Sequence, residues 1–404
     1  MRRLLILVAA VALLAGCKKE ETPAPDPTEQ TLLMYLPWSG NLTSFLMTNI
    51  EDMKQVIGSG IPERCRVLVY FMSSPTEGRL FELYDRKGIV CERDLEQYKE
   101  PAFTTAEGIA EILGDVKRHA PAKRYAMTIG SHGMAWLPAQ PTATTQAEGG
   151  KTPLYAPGPE MEYWQQTDAN GLPLTRWFGG TSAAHRTDIA TLAEALQQSG
   201  LHMEYILFDN CYMSSIEVAY DLRTVADHLI ASPCEIMNYG FPYAAVGRHM
   251  IGNPNYEAIV EGFVEFYTNY TYEGEAYPYG NIATIHCKEI DALASLMKQI
   301  NQSTTTTIDE TKVQSFDYLP QHRFFDLGDY VEHYSTDEAL KTAFTAQLER
   351  VIPPAHRAYT PKFYSSGYIY TLRAFSGIST SDPSLNSYCD TEKEATAWWQ
   401  ATHE

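Results

Sequence analysis

The stretch Arg124-Tyr125-Ala126-Met127-Thr128-Ile129-Gly130-Ser131-His132-Gly133 runs from a short apolar segment straight into a small polar turn, and Tyr205-Ile206-Leu207-Phe208-Asp209-Asn210-Cys211-Tyr212-Met213-Ser214 does the same. Short apolar runs rich in β-branched and aromatic residues read as buried strands. Residues 31–36, 66–72 and 228–231 are further runs of this type. Between the runs, residues 42–57, 105–119, 188–199 and 214–223 carry apolar side chains at three- and four-residue spacing, several behind a capping Thr, Ser or Asp. Strand alternating with helix predicts an α/β fold, a mostly parallel central sheet covered by helices on both faces. Residues 79–92, with a turn at 85–88, read as a hairpin inserted into that scheme.

Working outward, the pattern stops over residues 138–185, where Pro138, Pro141, Pro153, Pro157, Pro159 and Pro173 punctuate a Gly- and Thr-rich stretch. A loop insertion of this length inside a domain is usually functional or mobile. After about residue 250 come helices at 256–267, 290–300, 336–351 and near 393–399, with strands at 282–285 and 368–375. These form a C-terminal α/β extension, with a candidate subdomain boundary near 250. Asp326-Leu327-Gly328-Asp329 reads as a helix-start turn, and Trp398-Trp399 as part of a docked terminal helix rather than a glycan platform.

The N-terminus is an address. Arg2 and Arg3 precede an apolar run too short to span a bilayer, so residues 1–16 read as a signal peptide. Leu14-Ala15-Gly16-Cys17 resembles a bacterial lipobox, which makes Cys17 the lipidated residue, residues 17–30 an anchor and tether, and residues 31–404 the folded domain. A lipoprotein of the cell envelope, attached to the outer membrane, is expected. With 31 basic against 50 acidic residues and a net charge of −19, the chain lacks the basic surface that nucleic acid requires. Hydrophobic content of 44% and charged content of 20% exclude wholesale disorder. Cys65, Cys91, Cys211, Cys234, Cys287 and Cys389 are sparse and show no metal-ligand spacing, so neither a disulfide framework nor a structural metal is needed. A monomer without cofactor is expected.

The two strand ends carry the chemistry. His132 and Cys211 each lie just beyond a strand's carboxyl end, where open α/β sheets gather their functional groups. An imidazole within reach of a thiol can take its proton and create the competent nucleophile. Gly133 lets a backbone N–H approach a carbonyl closely, and with the N–H of Cys211 it would form an oxyanion hole. Alternation along the strand sends Asp209 to the same side as Cys211, where its carboxylate would attract a basic substrate side chain.

Ser131-His132-Gly133 with Trp136, and the run Asp209 to Tyr220, resemble the His and Cys signatures of the clostripain family of cysteine peptidases, in the caspase-like clan. Further similarity runs through Tyr35 with Asn41-Leu42, through Ala231-Ser232 to Gly240-Phe241-Pro242-Tyr243, through Asp326 to Asp329, and through Phe375 to Ser379. The resemblance implies a caspase-like sandwich, a His132/Cys211 dyad, and an endopeptidase cutting after Arg or Lys with Asp209, and Asn41 beside it, in the S1 pocket. It also makes Lys151 and Arg176 candidate self-processing sites. Asn210 departs from the family pattern, standing where relatives carry a small residue. Calcium dependence occurs in the family, yet no EF-hand-type loop is present and no metal is predicted. Two alternatives keep the same cleft: a non-catalytic surface lipoprotein binding peptides or glycans, and a transpeptidase sharing the acyl-enzyme.

Overall fold

The computed structural model describes residues 27–137, 178–180, 182–305, 307–318, 322–386, 389 and 392–404. Residues 1–16, read as a signal peptide, with Cys17, Lys151 and Arg176 lie outside the described residues. In chain order the central sheet uses β1 (Thr28–Leu36), β2 (Cys65–Ser74), β3 (Glu77–Arg86), β4 (Ile89–Lys99), β5 (Ala122–Gly130), β6 (Met203–Asp209), β7 (His228–Ala231), β8 (Asn281–His286) and β9 (Arg357–Tyr359). Its spatial order is β9-β8-β7-β6-β5-β1-β2-β3-β4. The five middle strands, β7 to β2, are parallel. β3 and β4 extend one edge antiparallel, and β8 and β9 extend the other.

Period-two alternation assigns each strand's side chains to two cores. Leu32, Met34 and Leu36 of β1 face Leu46, Ile50 and Met53 of α1 (Thr43–Gly58), a layer shared with Ile259 and Phe263 further along the chain. Leu33 and Tyr35 face the other way, into the core that holds Ile109 and Ile112 of α2 (Ala106–His119), Leu192 and Leu196 of α3 (Ile189–Ser199), and Ile216 of α4 (Ile216–Leu222). The remaining long helices are α5 (Tyr256–Thr268), α6 (Ile290–Ser303), α7 (Leu327–Tyr334), α8 (Glu338–Val351) and α9 (Ala397–His403). The result is the three-layer α/β sandwich that the alternating pattern predicts.

Several elements refine the expectation. The hairpin at 79–92 is longer, and it is the edge of the main sheet rather than an insertion, because β2 turns directly into β3 and a tight turn forces antiparallel pairing. β8 and β9, both after residue 250, join this same sheet. The strand expected at 368–375 is confined to Tyr368–Thr371, which pairs with Lys362–Ser365 in a separate hairpin. Helix α7 precedes the expected helix at 336–351; Asp326 caps it by accepting the Asp329 N–H at 2.9 Å. The expected insertion is not all loop, since Phe178–Gly179 pairs with both His132–Gly133 and Arg186–Thr187. Trp398 of α9 is fully buried, its indole N–H donating to Asp382 at 3.2 Å and its ring meeting Tyr220 edge-on, which docks the terminal helix. Among the described residues, no helix is long and apolar enough to cross a membrane.

Candidate active site

Register brings the two polar turns together. Gly130 of β5 pairs with Asp209 of β6, so Ser131-His132 and Asn210-Cys211 leave the sheet side by side. Asn41 arrives from the third neighbouring strand, since β1 pairs with β5 on its other side. Asn210 then staples the turns: its Nδ2 donates to the Ser131 carbonyl and the Ser131 hydroxyl, both at 2.7 Å, and to the His132 carbonyl at 3.1 Å. The amide therefore does something a small residue cannot, which gives this departure from the family pattern a physical reason. The approach is close enough to require glycine at 133, where a Cβ would lie 2.7 Å from the Asn210 Cβ and 2.8 Å from the Cys211 carbonyl oxygen.

His132 is buried, and its Nε2 lies 2.8 Å from Asn41 Oδ1. A carboxamide oxygen can only accept, so Nε2 carries the proton and Nδ1 keeps its lone pair. Asn41 thus meets the imidazole, a contact that the sequence reading, which put it beside Asp209, did not anticipate. Burial, and then the nearby Arg186 cation, push the imidazole down to about 4. Cys211 is 5% exposed, and its Sγ accepts the Ile236 N–H at 3.4 Å. Burial raises the thiol well above its ordinary value; the Glu235 carboxylate adds to this and the Ile236 N–H opposes it. Burial thus favours the neutral form of both thiol and imidazole. Tyr212 follows at φ 63°, with its N–H on the Cys234 carbonyl at 3.0 Å, so the turn after Cys211 is strained and held.

His132, Cys211 and Asp209 line one narrow cleft, together with Asn49, Ile236 and Gly240. The floor around Asp209 is tight: Gly240 sits at φ 80°, and a Cβ there would fall 2.8 and 2.9 Å from the two carboxylate oxygens. The Tyr267 hydroxyl fixes this loop by donating to the Gly240 carbonyl at 2.6 Å. Burial pushes the Asp209 carboxyl up to about 7, opposed by the Phe241 N–H and the Tyr243 hydroxyl. Its Oδ2 is buried and has no hydrogen-bond partner among the described residues. Among those residues, no group of three His, Cys, Asp or Glu is placed to hold a metal ion.

Comparison with known proteins identifies the family. A model of the clostripain family matches residues 163–389. Iotapain, a secreted C11 cysteine protease from Bacteroides thetaiotaomicron, is 43% identical, covering 94% of this chain and 100% of its own, with a TM-score of 0.81. A clostripain from the same organism, solved in complex with the peptide inhibitor BTN-VLTK-AOMK, is 46% identical over 56% of this chain and 99% of its own, with a TM-score of 0.53. An inactive zymogen C11 protease from Parabacteroides distasonis is 25% identical over 93% of this chain and 99% of its own, with a TM-score of 0.72. No curated protein matches. A thiol and an imidazole facing one cleft at the carboxyl edge of a caspase-like sheet, in a chain this similar to C11 proteases along its whole length, place it in the clostripain family of cysteine peptidases.

Proposed function

We propose that the protein is an endopeptidase that cuts after Lys or Arg, with Cys211 as nucleophile, His132 as its base, Asn41 orienting that base, and Asp209 receiving the basic side chain. The observation that carries the reading is the Gly130–Asp209 register, from which all three reacting or recognising side chains enter one cleft. A thiol and an imidazole that burial both biases toward the neutral form set the first step. As Sγ attacks the carbonyl carbon, its proton passes to the imidazole nitrogen not held by Asn41, and the developing thiolate keeps the Ile236 N–H. The oxyanion is stabilised by the backbone N–H groups of Gly133 and Cys211. The imidazolium then protonates the leaving amine, the C–N bond breaks, and a thioester remains. Water, giving its proton to the same nitrogen, attacks the thioester and releases the acid and the thiol.

Specificity follows from Asp209. An incoming ammonium or guanidinium would meet the unpartnered Oδ2 and draw the buried carboxyl into its ionised form. The inhibitor held by the 46% identical relative has a peptide part, VLTK, that ends in Lys, which supports this direction. A secreted relative supports an envelope location, with the chain held by lipid on Cys17. Fluorogenic peptides ending in Arg, Lys, Asp or Asn test the activity: release after Arg or Lys by the wild type and none by Cys211→Ala is expected. Release that survives in Cys211→Ala, or that follows Asp or Asn instead, sinks the assignment. Cell fractionation tests the anchor, since Cys17→Ser should move the protein out of the membrane fraction.

A further inference from the structure

Glu235 sits on the loop after β7 and is only 5% exposed. Its Oε1 accepts four hydrogen bonds, from the Tyr212 hydroxyl at 2.6 Å, the Ser365 hydroxyl at 2.9 Å, the Ser366 N–H at 2.9 Å and the Ser366 hydroxyl at 3.1 Å. A buried carboxylate is costly without such partners. Three chain segments converge on this one oxygen: the nucleophile turn, the loop carrying Glu235, and the turn of the hairpin formed by Lys362–Ser365 and Tyr368–Thr371. Two of these segments adjoin the sulfur. Tyr212 is the residue after Cys211, and Ile236, the residue after Glu235, donates its N–H to Sγ.

We propose that Glu235 is a positioning residue for catalysis, its carboxylate pinning the Tyr212 turn and the Ile236 amide on either side of Cys211 Sγ. The hairpin turn at Ser366 completes the clamp without reaching the sulfur, so the far C-terminal part of the chain sets where the nucleophile stands. The inference rests on Cys211 being the nucleophile. A simple structural tie would also be buried and hydrogen-bonded, but it would leave the chemistry of the folded protein unchanged.

Glu235→Gln and Glu235→Ala separate the two. Both remove the charge, and only Gln keeps an oxygen for the four donors. Glu235→Gln should stay within about threefold of wild-type kcat, whereas Glu235→Ala should lose roughly tenfold or more in kcat with KM changed less than about threefold. The pH midpoint for alkylation of Cys211 by iodoacetamide, followed by mass spectrometry of its peptide, should lie higher in Glu235→Ala than in Glu235→Gln, because only Gln holds the Ile236 N–H against the thiolate. Equal kcat and equal midpoints in the two folded variants overturn the proposal, as does a Gln variant as impaired as Ala. If Glu235→Ala does not fold, Tyr212→Phe removes one donor and keeps the charge; kcat should fall about threefold or more at unchanged KM, and unaltered kcat overturns the clamp. Cys211→Ala runs alongside. Activity surviving there refutes the nucleophile assignment, while an inactive Cys211→Ala beside an unimpaired Glu235→Ala refutes the role of Glu235 alone.

Discussion

Asp209 is a carboxyl group held near the point of ionisation. Burial places its titration at about 7, so a fall in pH through that value leaves it neutral and unable to attract a cation. KM for Lys and Arg peptides should therefore rise below about pH 7, by up to tenfold per pH unit, and flatten above it. Asp209→Asn should abolish this dependence and raise KM by about 100-fold at pH 8, the loss of one buried charge-assisted hydrogen bond. Initial rates between pH 5.5 and 8.5 check this; a wild-type KM indifferent to pH would refute it. Asp209, His132 and Cys211 were legible in the sequence because strand ends advertise themselves as apolar runs closed by polar turns. The contact of Asn41 with His132 was not, and neither was the convergence on Glu235, since each joins segments whose meeting depends on strand order and register.

At the scale of elements, the strands of the parallel middle were readable from short apolar runs, and eight of the helices α1 to α9 were readable from the sequence. The edges were harder. β4 is half exposed and carries Arg93, Asp94 and Glu96, charges that blunt an edge strand and hide its apolar alternation. Helix α7 starts at the helix-start turn read at Asp326–Asp329, and Leu327, Tyr330, Val331 and Tyr334 continue it at helical spacing, although the sequence reading assigns no full helix there. The helix after Cys211 begins two residues later than expected. Ser214 spends its backbone on other chains of bonds, donating to the Ser232 carbonyl and accepting the Ser379 N–H, each at 2.9 Å, so Ser215 becomes the cap. The pairs around Phe178 and Arg186 are two residues long and have no periodicity to read.

For the whole molecule, buried acids dominate the response to pH. Burial pushes Asp209 and Glu217 up to about 7, and Asp221 and Asp326 up to about 6. Because these folded-state values lie above the unfolded ones, the folded chain holds the protons more tightly; the stabilisation is full below about pH 4 and is lost as pH rises through 6 to 7. His132 and His286, pushed down to about 4, act in the opposite sense, stabilising above about pH 6.5 and failing as pH falls through 4. Tm should peak at mildly acidic pH and fall by about 5 °C or more between pH 6 and 8, read by calorimetry on Cys211→Ala to avoid self-digestion. A Tm that rises over that interval would contradict the assignment. The strand order carries one more consequence. β1 to β5 fill one half of the sheet and β6 to β9 the other, so a single cut between residues 138 and 177 divides the molecule along the β5–β6 seam. The product would be a two-fragment molecule with the proposed catalytic cleft at the interface, His132 and Asn41 from one fragment and Cys211 and Asp209 from the other. Such fragments should complement one another when produced separately, with activity recovered at a rate set by their concentrations.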